Sequence, residues 1–124
     1  MNHFGFPKAN KLCSKKDIEA LVKSGDTIVV YPLKIIWSSH YSPQSHTKVA
    51  VSVPKKRHKT AVARNLLKRR IREAYRTSQE LISFKEKSIN CLLIYISNDT
   101  LPYSIIESQL KKGMLIINSR HENS

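Results

Sequence analysis

The sequence predicts an α/β (α+β) domain in which helices pack on a small mixed sheet, and three observations carry that expectation. Apolar residues at helical spacing alternate with β-branched runs in the order helix, two or three strands, helix, strand, helix. One helix lies between two strand patterns, the arrangement of a crossover connection, whose usual hand is right. Length supplies the third observation: 124 residues with 40% apolar side chains make one domain, residues 1–124, with a single core.

Residues 1–10, with Pro7 and several polar side chains, read as a loose N-terminal arm anchored by Phe4 and Phe6. Over 14–23, Ile18, Leu21 and Val22 have helical spacing, Ser14 can cap the start and Gly25 stops the helix. The run 27–38, TIVVYPLKIIWS, is strand-like, but Pro32 suits an edge strand or a bulge; Leu33, Ile35 and Trp37 then share one side. After a turn-rich 39–46, Val49, Val51 and Val53 alternate, and the two runs together suggest a hairpin. Pro54 ends that strand, and Thr60 can cap a helix over 61–77. The polar segment 79–87 has some helical character, and the unbroken apolar run 89–96 suits an inner strand covered on both faces. Residues 98–102 turn, after which Ile106, Leu110, Met114 and Ile117 mark a last helix. Gly113 weakens that helix by roughly 1 kcal/mol relative to alanine.

Several function classes drop out. No apolar run approaches the roughly 18 residues of a membrane span, and MNHFGFPKANK has no apolar signal core, so the chain is expected in the cytoplasm, away from membranes. Cys13 and Cys91 lack the spacing of a zinc site or a disulfide framework and read as free thiols. His3, His40, His46, His58 and His121 include no pair at ligating spacing. There is no close carboxylate pair and no Ser/His/Asp or Cys/His pattern, so no catalytic residue and no metal cluster is expected in this chain.

Charge is what remains. Residues 55–76 hold ten of the chain's 22 Lys and Arg against one acid, Glu73, within a net charge of +13. Such concentration predicts a polyanionic partner. At roughly 100° per residue, Ala63, Leu67, Ile71 and Ala74 fall within about 80° of one another, while Lys68, Arg72, Asn65, Arg76 and Arg69 share another arc of about 100°. One side of the helix thus faces a core and the other is cationic. A merely solvated face would interleave acids, yet Arg64 and Lys68, Lys68 and Arg72, and Arg72 and Arg76 are like-charged neighbours one turn apart. Lys55, Lys56, Arg57 and Lys59 precede the N-terminus, where the helix dipole disfavours cations. A bound polyanion relieves both, since arginine forks and helix N-termini suit phosphate. Asn65 can donate and accept toward a base edge or a ribose hydroxyl. Arg70 falls off the arc.

These residues resemble the protein subunit of bacterial ribonuclease P. The family's helix reads approximately Ala-Val-x-Arg-Asn-Arg-x-Lys-Arg-x-x-Arg-Glu-Ala-(Phe/Tyr)-Arg, which residues 61–76 match at nearly every defined place. A valine-rich strand before Pro54, Lys55, Lys56 and Arg57 matches too, and the likeness extends loosely over nearly the whole chain. The resemblance implies a two-layer α/β sandwich with an unusual left-handed βαβ crossover, like the second domain of the small ribosomal subunit's fifth protein. It implies removal of the 5′ leader of precursor tRNA, with Mg²⁺ and the catalytic groups supplied by an RNA subunit and no obligate protein partner. Arg64, Asn65, Lys68, Arg69 and Arg72 would bind that RNA, within a cationic set completed by Lys55, Lys56, Arg57, Lys59 and Arg76. The leader would lie in a cleft between the sheet and this helix.

Two positions depart from the family pattern. Leu66 stands where the signature has its second arginine, so one RNA contact is either missing or supplied by Arg70 or Arg69. Ile18 and Val22 stand where the family commonly has leader-lining phenylalanines, which leaves Tyr31 and Trp37 as aromatic candidates for the leader. A non-catalytic RNA-binding or ribosomal-type protein is the alternative the same helix would serve. A helix-turn-helix DNA reader is disfavoured, because no short helix precedes the basic one.

Overall fold

The structure, a computed structural model, describes residues 15–41, 47–78 and 87–122. Expectations for the 1–10 arm, the Ser14 cap and residues 79–86 lie outside them. The order is α1 (Lys15–Ser24), β1 (Asp26–Val30), β2 (Leu33–Tyr41), β3 (Thr47–Ser52), α2 (Ala61–Ser78), β4 (Lys87–Tyr95) and α3 (Tyr103–Glu122). The strands form one mixed sheet in the order β1-β2-β4-β3.

Pairing corrects two of the sequence expectations. The run 27–38 is not one interrupted strand: Tyr31 and Pro32, joined by a cis peptide, turn β1 into β2, and the two pair antiparallel with Val30 opposite Leu33. Nor do β2 and β3 form a hairpin, because β4 lies between them. β4 pairs antiparallel with β2, Trp37 opposite Cys91, and parallel with β3, Val49 opposite the same Cys91. Side-chain alternation tells which face a residue takes but not which strand lies beside it, so two alternating runs close in sequence mimic a hairpin. β4 is the inner strand that its continuous apolar run suggests.

The main core lies between the sheet and α2 with α3. Ile28, Val30, Leu33, Ile35, Trp37, Val49, Val53, Cys91, Leu93 and Tyr95 face Leu67, Ile71, Ala74 and Tyr75 of α2 and Ile106, Leu110, Met114 and Ile117 of α3. The opposite face carries a smaller cluster, Leu21 of α1 against Ile36 and Leu92, with Ile18, Ala50 and Ile94 partly buried beside it. At about 1.5–3 kcal/mol per buried aliphatic side chain, α1 is held far more weakly than α2 and α3.

Gly25, just past α1, and Gly113, within α3, make close approaches possible. A Cβ on Gly25 would stand 2.6 Å from the Leu21 carbonyl oxygen, at the tight exit from α1, and 3.0 Å from Ile36 Cγ2. On Gly113 it would meet Ile35 Cδ1 at 2.8 Å and Val30 Cγ2 at 3.0 Å. The helix-propensity loss at Gly113 is therefore the condition for seating α3 on β1 and β2. Gly113→Val, which adds two more methyl groups in that contact, is expected to lower the unfolding free energy by about 1–3 kcal/mol in a denaturant melt. No loss would mean that α3 can lift off without cost.

The buried Cys91 is unpaired, and burial pushes its thiol up to about 12. The thiolate is the reactive form. In a Cys13→Ser background, Cys91 should therefore react with a thiol reagent at pH 8 only as fast as the protein unfolds. Prompt labelling under native conditions would contradict this burial.

Candidate nucleic-acid interface

The basic segment enters α2 through a loop that several hydrogen bonds fix. The N–H groups of Arg57 and His58 both donate to the Pro54 carbonyl, at 3.1 and 3.2 Å. Thr60 caps α2 as expected, its Oγ1 accepting from the Ala63 N–H at 3.2 Å. Arg64, one turn into the helix, reaches back: its Nη1 donates to the carbonyls of His58 at 2.9 Å and Lys59 at 3.0 Å. The His58 ring is buried, with Nε2–H donating to the Ser97 carbonyl at 2.8 Å and the Tyr95 ring 5.4 Å away, tilted by 60°. Arg57 Nη1 donates to Asn98 Oδ1 at 3.1 Å. Lys55, Lys56 and Lys59 project from this frame and are exposed.

Along α2 the two arcs are real. Leu67, Ile71 and Ala74 are buried, while Ala63, expected in the same stripe, is half-exposed in the first turn; Asn65, Arg69 and Arg76 are exposed and Lys68 and Arg72 half-exposed. Among the described residues, Arg76 is the one cation of the stretch with a carboxylate partner, its Nε donating to Glu73 Oε2 at 3.1 Å. That hydrogen bond holds the Glu73 carboxyl below the usual carboxylate range. Among the described residues no carboxylate pairs with the other cations of the stretch.

Of the two arginines that could stand in for the one replaced by Leu66, Arg70 is committed elsewhere. Its Nη1 donates to the Leu101 carbonyl at 2.7 Å, tying α2 to the turn before α3. Arg69 is the exposed one.

The four leader-cleft candidates do not come together. Trp37 is only 5% exposed and belongs to the main core beneath α2 and α3, on the far side of the sheet from Ile18 and Leu21. Sharing a face with Leu33 and Ile35, as the alternation implies, is what takes it out of reach. Ile18 is half-buried, Val22 is 55% exposed on α1, and Tyr31 is 53% exposed at the β1–β2 turn. Among the described residues, the space between the sheet and α2 is filled by the main core. The incompletely covered surface is the α1 side, where Ala50, Ser52 and Ile94 remain half-exposed.

Sequence reasoning missed Ser97 and Asn98, which brace the basic loop from the end of β4. They follow no motif and reach the loop only because β3 and β4 are parallel neighbours. Among the described residues no group of three or more His, Cys, Asp or Glu side chains gathers to hold a metal ion. No described helix is long and apolar enough to cross a membrane.

A mixed α/β sheet presenting a cationic helix, apolar on its inner side and barely neutralised on its outer one, defines a nucleic-acid-binding protein. The family model described as Ribonuclease P matches residues 6–118. The ribonuclease P protein component of Porphyromonas gingivalis is 32% identical over 121 residues, covering 92% of this chain and 87% of that one. The corresponding protein of a Picosynechococcus species is 38% identical over 73 residues, 59% of this chain and 61% of that one. Among solved structures, the RNase P protein of Thermotoga maritima superposes with a TM-score of 0.71 at 17% identity, covering 86% of this chain and 96% of that one. A mutant of the Staphylococcus aureus protein also gives 0.71, at 22% identity and 90% coverage of both chains. The chain belongs to the ribonuclease P protein family. It is therefore an RNA-binding subunit of a tRNA-processing ribonucleoprotein endoribonuclease, and its partner in that enzyme is the RNA subunit.

Proposed function

We propose that this chain binds the catalytic RNA subunit and the 5′ leader of precursor tRNA in the cytoplasm, and so assists cleavage that the RNA performs. The observation that carries the proposal is the outer face of α2, where Asn65, Lys68, Arg69 and Arg72 stand exposed or half-exposed opposite the buried Leu67, Ile71 and Ala74. Arg76 lies on the same side with its charge shared with Glu73. Lys55, Lys56, Arg57 and Lys59 extend this surface at the N-terminus of α2, whose dipole adds to the attraction for phosphate. Arg64 serves from behind, by holding the His58 and Lys59 carbonyls. The leader takes the α1 side of the sheet, past Ile18 and Val22. Mg²⁺ and the groups that cut the phosphodiester belong to the RNA, while the protein neutralises phosphates and positions the substrate.

Reconstitution tests this directly. Added to its RNA subunit at low Mg²⁺, the protein should stimulate release of the leader from precursor tRNA. Tight RNA binding with no stimulation would instead support a purely structural RNA-binding protein.

A further inference from the structure

We propose that Tyr31 and Arg57 form a separate subsite for one unpaired nucleotide, the base stacking on the Tyr31 ring and the phosphate bound by Arg57. It rests on the reading that the chain handles the leader of precursor tRNA, and it adds a place and a chemistry to that reading.

Three segments converge at one end of the sheet. Val30 pairs with Leu33, Leu33 with Tyr95, and Ser52 with Ile94, so the 31–32 turn, the residues after β4 and the loop after β3 lie side by side. Hydrogen bonds join them. The Tyr31 hydroxyl donates to Ser97 Oγ at 2.8 Å, and Arg57 donates to the neighbouring Asn98 at 3.1 Å. Ring and guanidinium are thus anchored to consecutive residues of one turn. That turn is itself held by the buried His58 bond to the Ser97 carbonyl and by the Asp99 N–H on Ser97 Oγ at 3.0 Å. The backbone under Tyr31 is fixed as well: its carbonyl accepts from Gln109 Nε2 at 2.8 Å, and the Pro32 carbonyl from the Ile96 N–H at 2.8 Å.

The result is an aromatic ring 53% exposed yet immobilised at its hydroxyl and its backbone. A ring with no freedom left to lose is a favourable stacking surface, because binding then costs little ordering entropy. Arg57 has committed one of its N–H donors to Asn98, which leaves the others for phosphate oxygens. An aromatic face and a cation braced by consecutive residues of one turn suit single-stranded RNA rather than a duplex, whose bases offer no open face for stacking.

The holoenzyme reconstituted from this protein and its RNA subunit provides the test, with precursors bearing a long or a single-nucleotide leader and with mature tRNA. Tyr31→Ala and Tyr31→Leu should each weaken binding of the long-leader precursor by about five-fold or more, with the salt slope unchanged because no charge is lost. The single-nucleotide precursor and mature tRNA should be unaffected. Tyr31→Phe, which keeps the stacking face but frees the ring from Ser97, should fall between wild type and Tyr31→Ala, and Arg57→Ala should lower the salt slope by about one unit. Emission from the buried Trp37 checks that each variant is folded. Long-leader binding by Tyr31→Leu equal to wild type, or a loss in Tyr31→Phe as large as in Tyr31→Ala, overturns the subsite while leaving the leader reading intact. Wild-type holoenzyme that binds long-leader precursor no better than mature tRNA overturns that reading and the subsite together.

Discussion

Replacing Lys68, Arg69 and Arg72 together with alanine is expected to flatten the salt dependence of RNA binding while leaving the protein folded. All three lie on the outer side of α2, and none has a carboxylate partner among the described residues. Each phosphate that a cation neutralises contributes roughly 0.7–0.9 to the slope of log affinity against log salt, so three contacts amount to about 2–3 units. Stability should hold or rise slightly. Alanine is the best helix former, and the change removes the like-charged pairs Arg64/Lys68, Lys68/Arg72 and Arg72/Arg76, each worth roughly 0.2–0.5 kcal/mol of repulsion. The half-exposed stems of Lys68 and Arg72 offset part of this gain by uncovering apolar surface. Titrations of the RNA subunit between about 50 and 200 mM salt, with thermal melts alongside, read both quantities. A slope equal to wild type would place the RNA on another surface.

This separation of faces on α2 was legible in the sequence because helical phase is rigid. Once Leu67, Ile71 and Ala74 are assigned to a core, the position of Lys68, Arg69 and Arg72 follows from geometry alone. The same holds for α3, where Ile106, Leu110, Met114 and Ile117 are all buried. Strand neighbours were not legible in this way. Val49 and Val53 reveal their face through alternation, but nothing in them says that β4, nearly forty residues downstream, intervenes between β3 and β2. Side-chain commitments were hidden for a related reason. Helical phase sets Arg70 off the cationic arc, but it does not say that Arg70 is tied to the Leu101 carbonyl, that Arg64 braces the loop or that Arg69 stands exposed. Trp37 shows the converse: its place beside Leu33 and Ile35 was correctly read, and that place argues against a leader contact once the face covered by α2 is known. The ribonuclease P resemblance was legible because it rests on sixteen consecutive positions, 61–76, whose apolar and cationic members both have to be right.

Ile71→Ala should give the largest loss of stability and, unlike the charge variants, a loss that RNA can offset. Ile71 is fully buried on α2 between the sheet and α3, in one cluster with Leu67, Ala74 and Leu110. Truncating such a side chain costs about 2–5 kcal/mol through lost burial plus an unfilled cavity, a large share of the roughly 5–15 kcal/mol that a domain commands. Ile71→Val, which removes one methylene, should cost about 0.5–1.5 kcal/mol. The cationic arc is not altered in either variant, so the salt slope should stay at the wild-type value even where the population of folded protein falls. Linkage then gives a sharp expectation. RNA subunit present at 100 times its dissociation constant adds about 2.7 kcal/mol to the folded state, enough to restore most of the melting temperature lost in Ile71→Ala. The Lys68, Arg69, Arg72 triple variant, already folded but weakly bound, should gain little from the same RNA concentration. If Ile71→Ala instead lowered the salt slope, the inner and outer faces of α2 would not be separable, and binding would depend on the exact seating of the helix rather than on its charge.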